Sequence, residues 1–299
     1  VLSESRQDFT IQNGTLPAAG TGLVWSAGRF RFDLGPAAPV VVMGIVNVTP
    51  DSFSDGGQHI GLDKALIHAE RLIYEGAAIL DVGGESTRPG APEVSVDDER
   101  TRVIPLVIEL VNRGYCVSVD TRKPEIMAEA IAAGAAIVND VMALAAPGAV
   151  EACASSDVGV VLMHMQGEPR SMQVAPRYDD VAREVGDYLL ERARVCQAAG
   201  IAPQRIVLDP GFGFGKTVAH NVELTCRLNE LVALGYPVLA GWSRKRTLGE
   251  LTGRTVPADR VSASVAATLA CVARGARIVR VHDVAATVDA LKVWQVMGV

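Results

Sequence analysis

A chain of 299 residues, 49% hydrophobic and 21% charged, is long enough for one large domain or two small ones with a sizeable core. Its net charge of −6 argues against a nucleic-acid-binding protein, which would carry a basic footprint, but leaves room for a local Arg and Lys cluster on a phosphorylated ligand. Five scattered cysteines with no CxxC pair exclude a disulfide framework and a thiolate metal site and suit a reducing, cytoplasmic setting.

At the amino end, residues 1–20 are polar and turn-rich and are read as a flexible extension of a single domain covering 21–299. They have no apolar stretch of the signal-peptide kind, and no run approaches the roughly eighteen apolar residues of a membrane span. Residues 22–34 (GLVWSAGRFRFDL) place two β-prone runs around Ala27-Gly28, a hairpin pattern. From Val40 onward, short apolar runs alternate with longer stretches of helical period. The predicted strands are 40–48, 79–84, 116–121, 137–141, 158–164, 206–211, 237–242 and 277–282. The predicted helices are 62–75, 97–113, 124–133, 147–156, 179–199, 218–234, 258–273 and 284–297. Asp63 and Asp97 read as helix openers, Pro124 as a first-turn residue, and Gly76, Gly114, Gly134 and Gly235 as stops. Eight strand–helix units predict a TIM (β/α)8 barrel with an N-terminal β-hairpin, a fold of about 250 residues. The alternative, an open doubly wound sheet, would want a nucleotide fingerprint after its first strand, and none is there.

Polar residues recur at the carboxyl ends of these strands, the catalytic face of a barrel. They are Asn47, Asp81 with Glu85, Asp120, Asn139-Asp140, His164, Asp209, Ser243-Arg244-Lys245, and Arg280 with His282. One such residue is more often structural; eight ends together point to a site. Asp120, Asn139 and Asp209 suit a flat, nitrogen-rich ring, because carboxylates and amides accept paired N–H groups. Lys245, Arg280 and His282 add cationic donors on the last two strands, where this fold customarily holds phosphate. The implied ligand has a polar ring and an anionic tail.

Two long Gly-, Ser- and Thr-rich segments, 47–58 and 83–94, follow the first two strands and read as binding loops, with Asp55 and Arg88 as their pointed residues. The run DPGFGFGKT (209–217) fails as a phosphate loop because Pro210 stands where glycine is required.

The runs MGIVNVTPDSFSDGG (43–57) and GAAILDVGGESTRPGA (76–91), followed in order by VSVDTRKP, AAIVNDV, LDPGFGFGK, GWSRK and VRVHDV, resemble the signature segments of the dihydropteroate synthases. The resemblance runs from about residue 28 to 297. It implies a TIM barrel, a homodimer, and a reaction in folate biosynthesis. In that reaction 4-aminobenzoate displaces diphosphate from (7,8-dihydropterin-6-yl)methyl diphosphate with the help of Mg²⁺, and sulfonamides compete for the second site. Carried over by position, it assigns Asp120, Asn139, Asp209 and Lys245 to the pterin. Asn47, Arg280 and His282 go to the diphosphate, with Asn47 also at the metal. Ser86, Thr87, Arg88, Pro89 and Phe214 go to 4-aminobenzoate, and Asp55, Arg88 and Lys245 are marked as catalytic. The chain departs from the family's pattern at Trp242, where methionine is common, at Arg246, where a serine is expected to help hold the second substrate, and at Ala263, where glycine is common. Two other readings stay open at this point: a pterin-binding methyltransferase, disfavoured by Arg280 and His282, and a pterin-binding homologue without synthase activity.

Overall fold

A computed structural model of the protein describes residues 22–48, 57–86, 93–167 and 172–297. The extension 1–20, Asp55 and the stretch 87–92 with Thr87, Arg88 and Pro89 lie outside the described residues.

The predicted hairpin forms. Strands β1 (Val24–Ala27) and β2 (Phe30–Asp33) pair antiparallel, and Gly28 takes the positive φ that the turn between them needs. All eight predicted barrel strands are present: β3 (Val41–Asn47), β4 (Ile79–Gly83), β5 (Val117–Asp120), β6 (Ile137–Asp140), β7 (Gly159–Met163), β8 (Ile206–Asp209), β9 (Leu239–Ala240) and β10 (Ile278–Val281). They lie parallel in the order β8-β7-β6-β5-β4-β3-β10-β9. A bridge between Leu208 and Val238 joins the two edge strands and closes the ring, which rules out the open sheet. Strands covered on both faces are mostly apolar, and β4, β6, β7 and β8 are buried along their whole length, with Asp81, Asn139, Asp140 and Asp209 as their buried polar residues.

The helices form the outer layer: α1 (Gly57–Tyr74), α2 (Val96–Asn112), α3 (Pro124–Ala132), α4 (Ala149–Ala154), α5 (Val181–Ala198), α6 (Val218–Cys226), α7 (Leu228–Val232), α8 (Arg246–Thr252), α9 (Val261–Val272) and α10 (Val284–Met297). Four readings need correction. Asp63 does not open a helix, because α1 begins at Gly57 and Asp63 sits inside it. The single helix expected at 218–234 breaks at Arg227, whose backbone leaves helical geometry between α6 and α7. The helix expected from 258 starts at Val261, after a 3₁₀ turn over Pro257–Arg260. The true opener of α2 is Ser95, whose hydroxyl accepts the Asp98 N–H, and Asp97 lies in the first turn. Gly76, Gly114, Gly134 and Gly235 all carry positive φ at helix ends.

The main core fills the space between strands and helices. A second cluster around Trp25, Met43, Ile79, Ile137, Val161 and Ile278 fills the barrel floor, and the hairpin seals it. Trp25 is fully buried there and donates to the Arg205 carbonyl at 3.1 Å. With the floor plugged, the open end is the rim at the strands' carboxyl ends. Among the described residues no helix is long and apolar enough to cross a membrane.

Candidate functional site

Strand register gathers the polar residues. Gly83 pairs with Asp120 and Asp120 with Asn139, which puts these three level at the top of the barrel; Asn139 pairs in turn with Val161 and Val161 with Val207, so Asp209 stands two residues further along β8. Above them opens a pocket of about 1040 Å³, to whose wall Asn47, Ser86, Asp120, Phe214, Lys245, Arg280 and His282 all contribute.

Arg280 spans the barrel mouth. Its Nε donates to Asp81 Oδ2 and its Nη2 to Asp120 Oδ2, both at 2.5 Å, and Asn139 Nδ2 donates to the same Asp81 oxygen at 3.2 Å. Burial alone would make the guanidinium easier to deprotonate, but Asp81 and Asp120 outweigh it and hold Arg280 firmly charged. Burial raises Asp120 to about 7; Arg280 pulls the other way, while Asp81, Asp140 and Glu99 push with the burial. Asp209 is also raised by burial, against the Gly211 N–H that its Oδ1 accepts at 2.7 Å and the positive charges of Lys245 and Arg280. The ring layer thus holds buried carboxyl groups poised to accept N–H groups.

The β8 turn supplies the next wall. Gly211 has a φ of +66°, and a Cβ there would lie 2.0 Å from the His164 carbonyl, so only glycine fits. The turn presents Phe214, and the Lys245 ammonium stands 4.0 Å from that ring's centre. Lys216 is buried beneath it, donating to the carbonyls of Gly211 and Phe214 at 3.1 Å each and contacting His164 Nδ1 at 3.0 Å. Burial lowers Lys216 to about 7. It lowers His164 to about 2, with Lys216 adding to the effect, and leaves that ring a neutral, structural partner rather than a pocket residue.

His282 also differs from expectation. Burial, with Arg280 and Arg244 beside it, brings it down to about 3, so the imidazole is neutral and is not a third cation. Ser243 accepts the His282 backbone N–H at 3.0 Å and lies 2.9 Å from Nδ1. A hydroxyl donating to Nδ1 leaves Nε2 protonated as a neutral donor. Arg244 lines the pocket with its guanidinium engaged in a paired contact with Asp283. Arg246 is 86% exposed and pairs along α8 with Glu250 at 2.7 Å, and both side chains line the outer part of the pocket, so a solvent-facing, acid-paired cation stands where the family's serine is expected. Trp242 is buried and stacks on Phe212, 4.7 Å between ring centres.

Two strand-end acids serve the scaffold. Asp140 accepts the N–H groups of Met142 and Leu144, both at 2.8 Å, and turns the chain after β6. Burial would raise Glu85, but the bonds from Lys123 and Arg122 together exceed that and keep it below its ordinary value. Sequence reasoning passed over Lys216 as a site member and placed Ser243 at a strand end without a role. The glycine-rich run before Lys216 was the available signal for the first; Ser243 acts through a histidine 39 positions away, and nothing local announces that role.

Asn47 is the described oxygen donor at the expected metal position, and no cluster of three His, Cys, Asp or Glu side chains suited to a metal occurs among the described residues. A single amide oxygen suits Mg²⁺ that arrives largely coordinated by phosphate and water.

A parallel barrel whose rim sets buried acceptors beside cationic donors defines a barrel enzyme for a heterocyclic, anionic substrate. The family model described as pterin binding enzyme matches residues 43–282, and the chain belongs to that family. It is 56% identical over 280 residues to a dihydropteroate synthase of Neisseria meningitidis serogroup C, covering 92% of this chain and 98% of the relative. Among solved structures, a Xanthomonas albilineans dihydropteroate synthase with 4-aminobenzoic acid superposes with a TM-score of 0.86 at 53% identity, covering 93% of this chain and 100% of that one. A Burkholderia cenocepacia dihydropteroate synthase complexed with 7,8-dihydropteroate gives 0.83 at 47% identity, covering 92% and 96%.

Proposed function

We propose that the chain condenses (7,8-dihydropterin-6-yl)methyl diphosphate with 4-aminobenzoate, giving 7,8-dihydropteroate and diphosphate. The observation that carries this is a pocket lined by Asp120, Lys245, Arg280 and His282 at the strand ends that also hold the buried Asn139 and Asp209. Relatives solved with 4-aminobenzoic acid and with 7,8-dihydropteroate support the same pair of ligands. A methyltransferase would have no anionic tail to meet the Arg280 and His282 donors.

The pterin's N–H edge is assigned to Asp120, Asn139 and Asp209, with Lys245 over Phe214 closing one side. Its diphosphate faces Arg280, the neutral Nε2–H of His282, and Asn47. The bond between the methylene carbon and the diphosphate oxygen breaks, and its electron pair leaves on the diphosphate. Arg280 and His282 donate hydrogen bonds to that growing charge. The positive charge left behind spreads over the pterin ring, where the carboxylates of Asp120 and Asp209 favour it. The lone pair of the aniline nitrogen forms the new carbon–nitrogen bond, and that nitrogen gives up a proton. Mg²⁺, held by Asn47 and the substrate's own oxygens, would add positive charge at the leaving group. Ser86, Thr87, Arg88, Pro89 and Phe214 are assigned to 4-aminobenzoate, and Asp55 and Arg88 act with Lys245 in the closed site. A cytoplasmic homodimer belongs to the same proposal.

The test is incubation with the pterin diphosphate, Mg²⁺ and 4-aminobenzoate, following dihydropteroate and diphosphate together. Product that requires all three components supports the reading. Pterin binding without product would replace it with a non-catalytic binder.

A further inference from the structure

We infer that Asp81, which none of the roles above includes, is the positioning residue of the site: it fixes Arg280 and Asn139 in the orientations that the reaction uses. This rests on the proposed roles of those two residues.

The observation is a carboxylate in the wrong place for stability. Asp81 lies in the middle of β4, fully buried, among strand residues that are otherwise apolar. Its Oδ1 has no hydrogen-bond partner. A buried carboxylate with one oxygen unpaired is costly, and an apolar residue of similar volume would commonly serve packing better. What its other oxygen does is specific. Oδ2 receives the Arg280 Nε–H at 2.5 Å and the Asn139 amide at 3.2 Å, from strands on opposite sides of β4. The Nε contact leaves the two terminal nitrogens of Arg280 to point onward, one to Asp120. The Asn139 contact is equally selective. A carboxylate accepts only, so the amide turns its NH₂ toward Asp81 and presents Oδ1 elsewhere. A single oxygen thereby sets the aim of the cation that meets the leaving group and the acceptor that meets the ring.

Asp81→Asn keeps the volume and removes the charge. The expected result is a loss of about 10- to 100-fold in kcat/KM for the pterin diphosphate, with KM for 4-aminobenzoate within about 2-fold of wild type. The decisive readout is the same substitution in an Arg280→Met background, where the further loss should shrink to about 3-fold or less, because no guanidinium is left to aim and only the Asn139 contact, which the carbonyl of the introduced amide can still accept, remains. Equal losses in both backgrounds, or no loss in the first, overturn the inference. Thermal melts of all four proteins confirm that rates are read on folded material. An independent arm follows the Arg280 Nε–H by NMR. The contact with Asp81 should keep this proton from rapid exchange in the wild type, and Asp81→Asn should release it; protection that survives the substitution overturns the inference whatever the chemistry. If wild-type protein makes no dihydropteroate, the proposed function fails while this arm still decides the role of Asp81.

Discussion

At the scale of single residues, burial sets the chemistry by moving protons. Asp120, faced by Arg280, Asp81, Asp140 and Glu99, is raised to about 7, so its carboxylate form is lost as the pH falls below neutrality. If that carboxylate accepts the pterin's N–H and favours the cation, kcat/KM for the pterin diphosphate should fall on the acid side of about pH 7. Asp120→Asn should lack that limb while retaining any limb that belongs to the diphosphate. A wild-type profile flat between pH 6 and 8 would remove Asp120 from the mechanism. Lys245 makes a second case. Replacing it with alanine removes a charged donor beside Asp209 and the cation facing Phe214. Hydrogen bonds to charged groups are worth about 1.5–3 kcal/mol, so the expected loss in kcat/KM is roughly 10- to 100-fold. Lys216 carries a linkage effect. Its folded value of about 7 is far below the ordinary lysine value, so the unfolded chain binds more protons across the interval above 7. Stability should therefore rise with pH from about 7 toward 10, by at most about 1.4 kcal/mol per pH unit for one proton. Denaturant melts at a series of pH values should show this slope, and Lys216→Met should abolish it.

At the scale of elements, the barrel keeps stability and chemistry at opposite ends. The hairpin β1–β2 plugs the floor through Trp25, which also packs on Phe32 with 5.5 Å between ring centres. Trp25→Ala should cost about 3–5 kcal/mol in urea unfolding and leave kcat unchanged at temperatures where the protein stays folded. A fall in kcat without a fall in stability would contradict this division. The same division explains what could be read from sequence. Barrel strands are buried on both faces, so each is a nearly unbroken apolar run, and all eight were legible together with the polar residues that end them. Helix boundaries were less so. The run Gly57-Gln58-His59-Ile60-Gly61 has no cap signal, and Asp63 imitated one inside α1. The break at Arg227, whose side chain pairs with Asp180, Glu223 and Glu230, is not something hydrophobic period registers. Helix α8 is short and follows the Ser243-Arg244-Lys245 run directly; its stop at Gly253, with a φ of +72°, was the one local clue. Site residues at strand ends were legible because the fold fixes that address. Roles that depend on a distant partner were not: the neutral state of His282 is set by burial, Arg280 and Arg244, and the contact of Arg280 with Asp81 joins residues 199 positions apart.

At the scale of the whole molecule, α9 is built the wrong way round for a monomer. Its sequence VSASVAATLACV is almost entirely apolar, yet the side chains it buries against the barrel include Ser264 and Thr268. Ser264 is occupied, accepting the Arg244 N–H at 2.9 Å and donating to the Arg260 carbonyl at 2.7 Å, so polar work at the base of the site claims the inner face. Val261, Val265 and Leu269 are left partly exposed on the outside. Nearby, Val293 and Val296 of α10, which packs on α9, are well exposed, as are Leu251 of α8 and Val256. Apolar area of this kind on a single protein usually marks an interaction surface, and a second copy meeting it across a two-fold axis would cover both faces at once. The proposed homodimer therefore has a specific surface. Sedimentation equilibrium should give a dimer at micromolar concentration, and Leu269→Glu should shift the protein to monomer, because a charge would meet its own image across the axis. The monomer should retain the pterin pocket, whose lining comes from one chain, but melt earlier, since association stabilises the fold by mass action. A wild-type protein that sediments as a monomer at tens of micromolar, with α9 uncovered, would sink the homodimer and leave that face for some other partner.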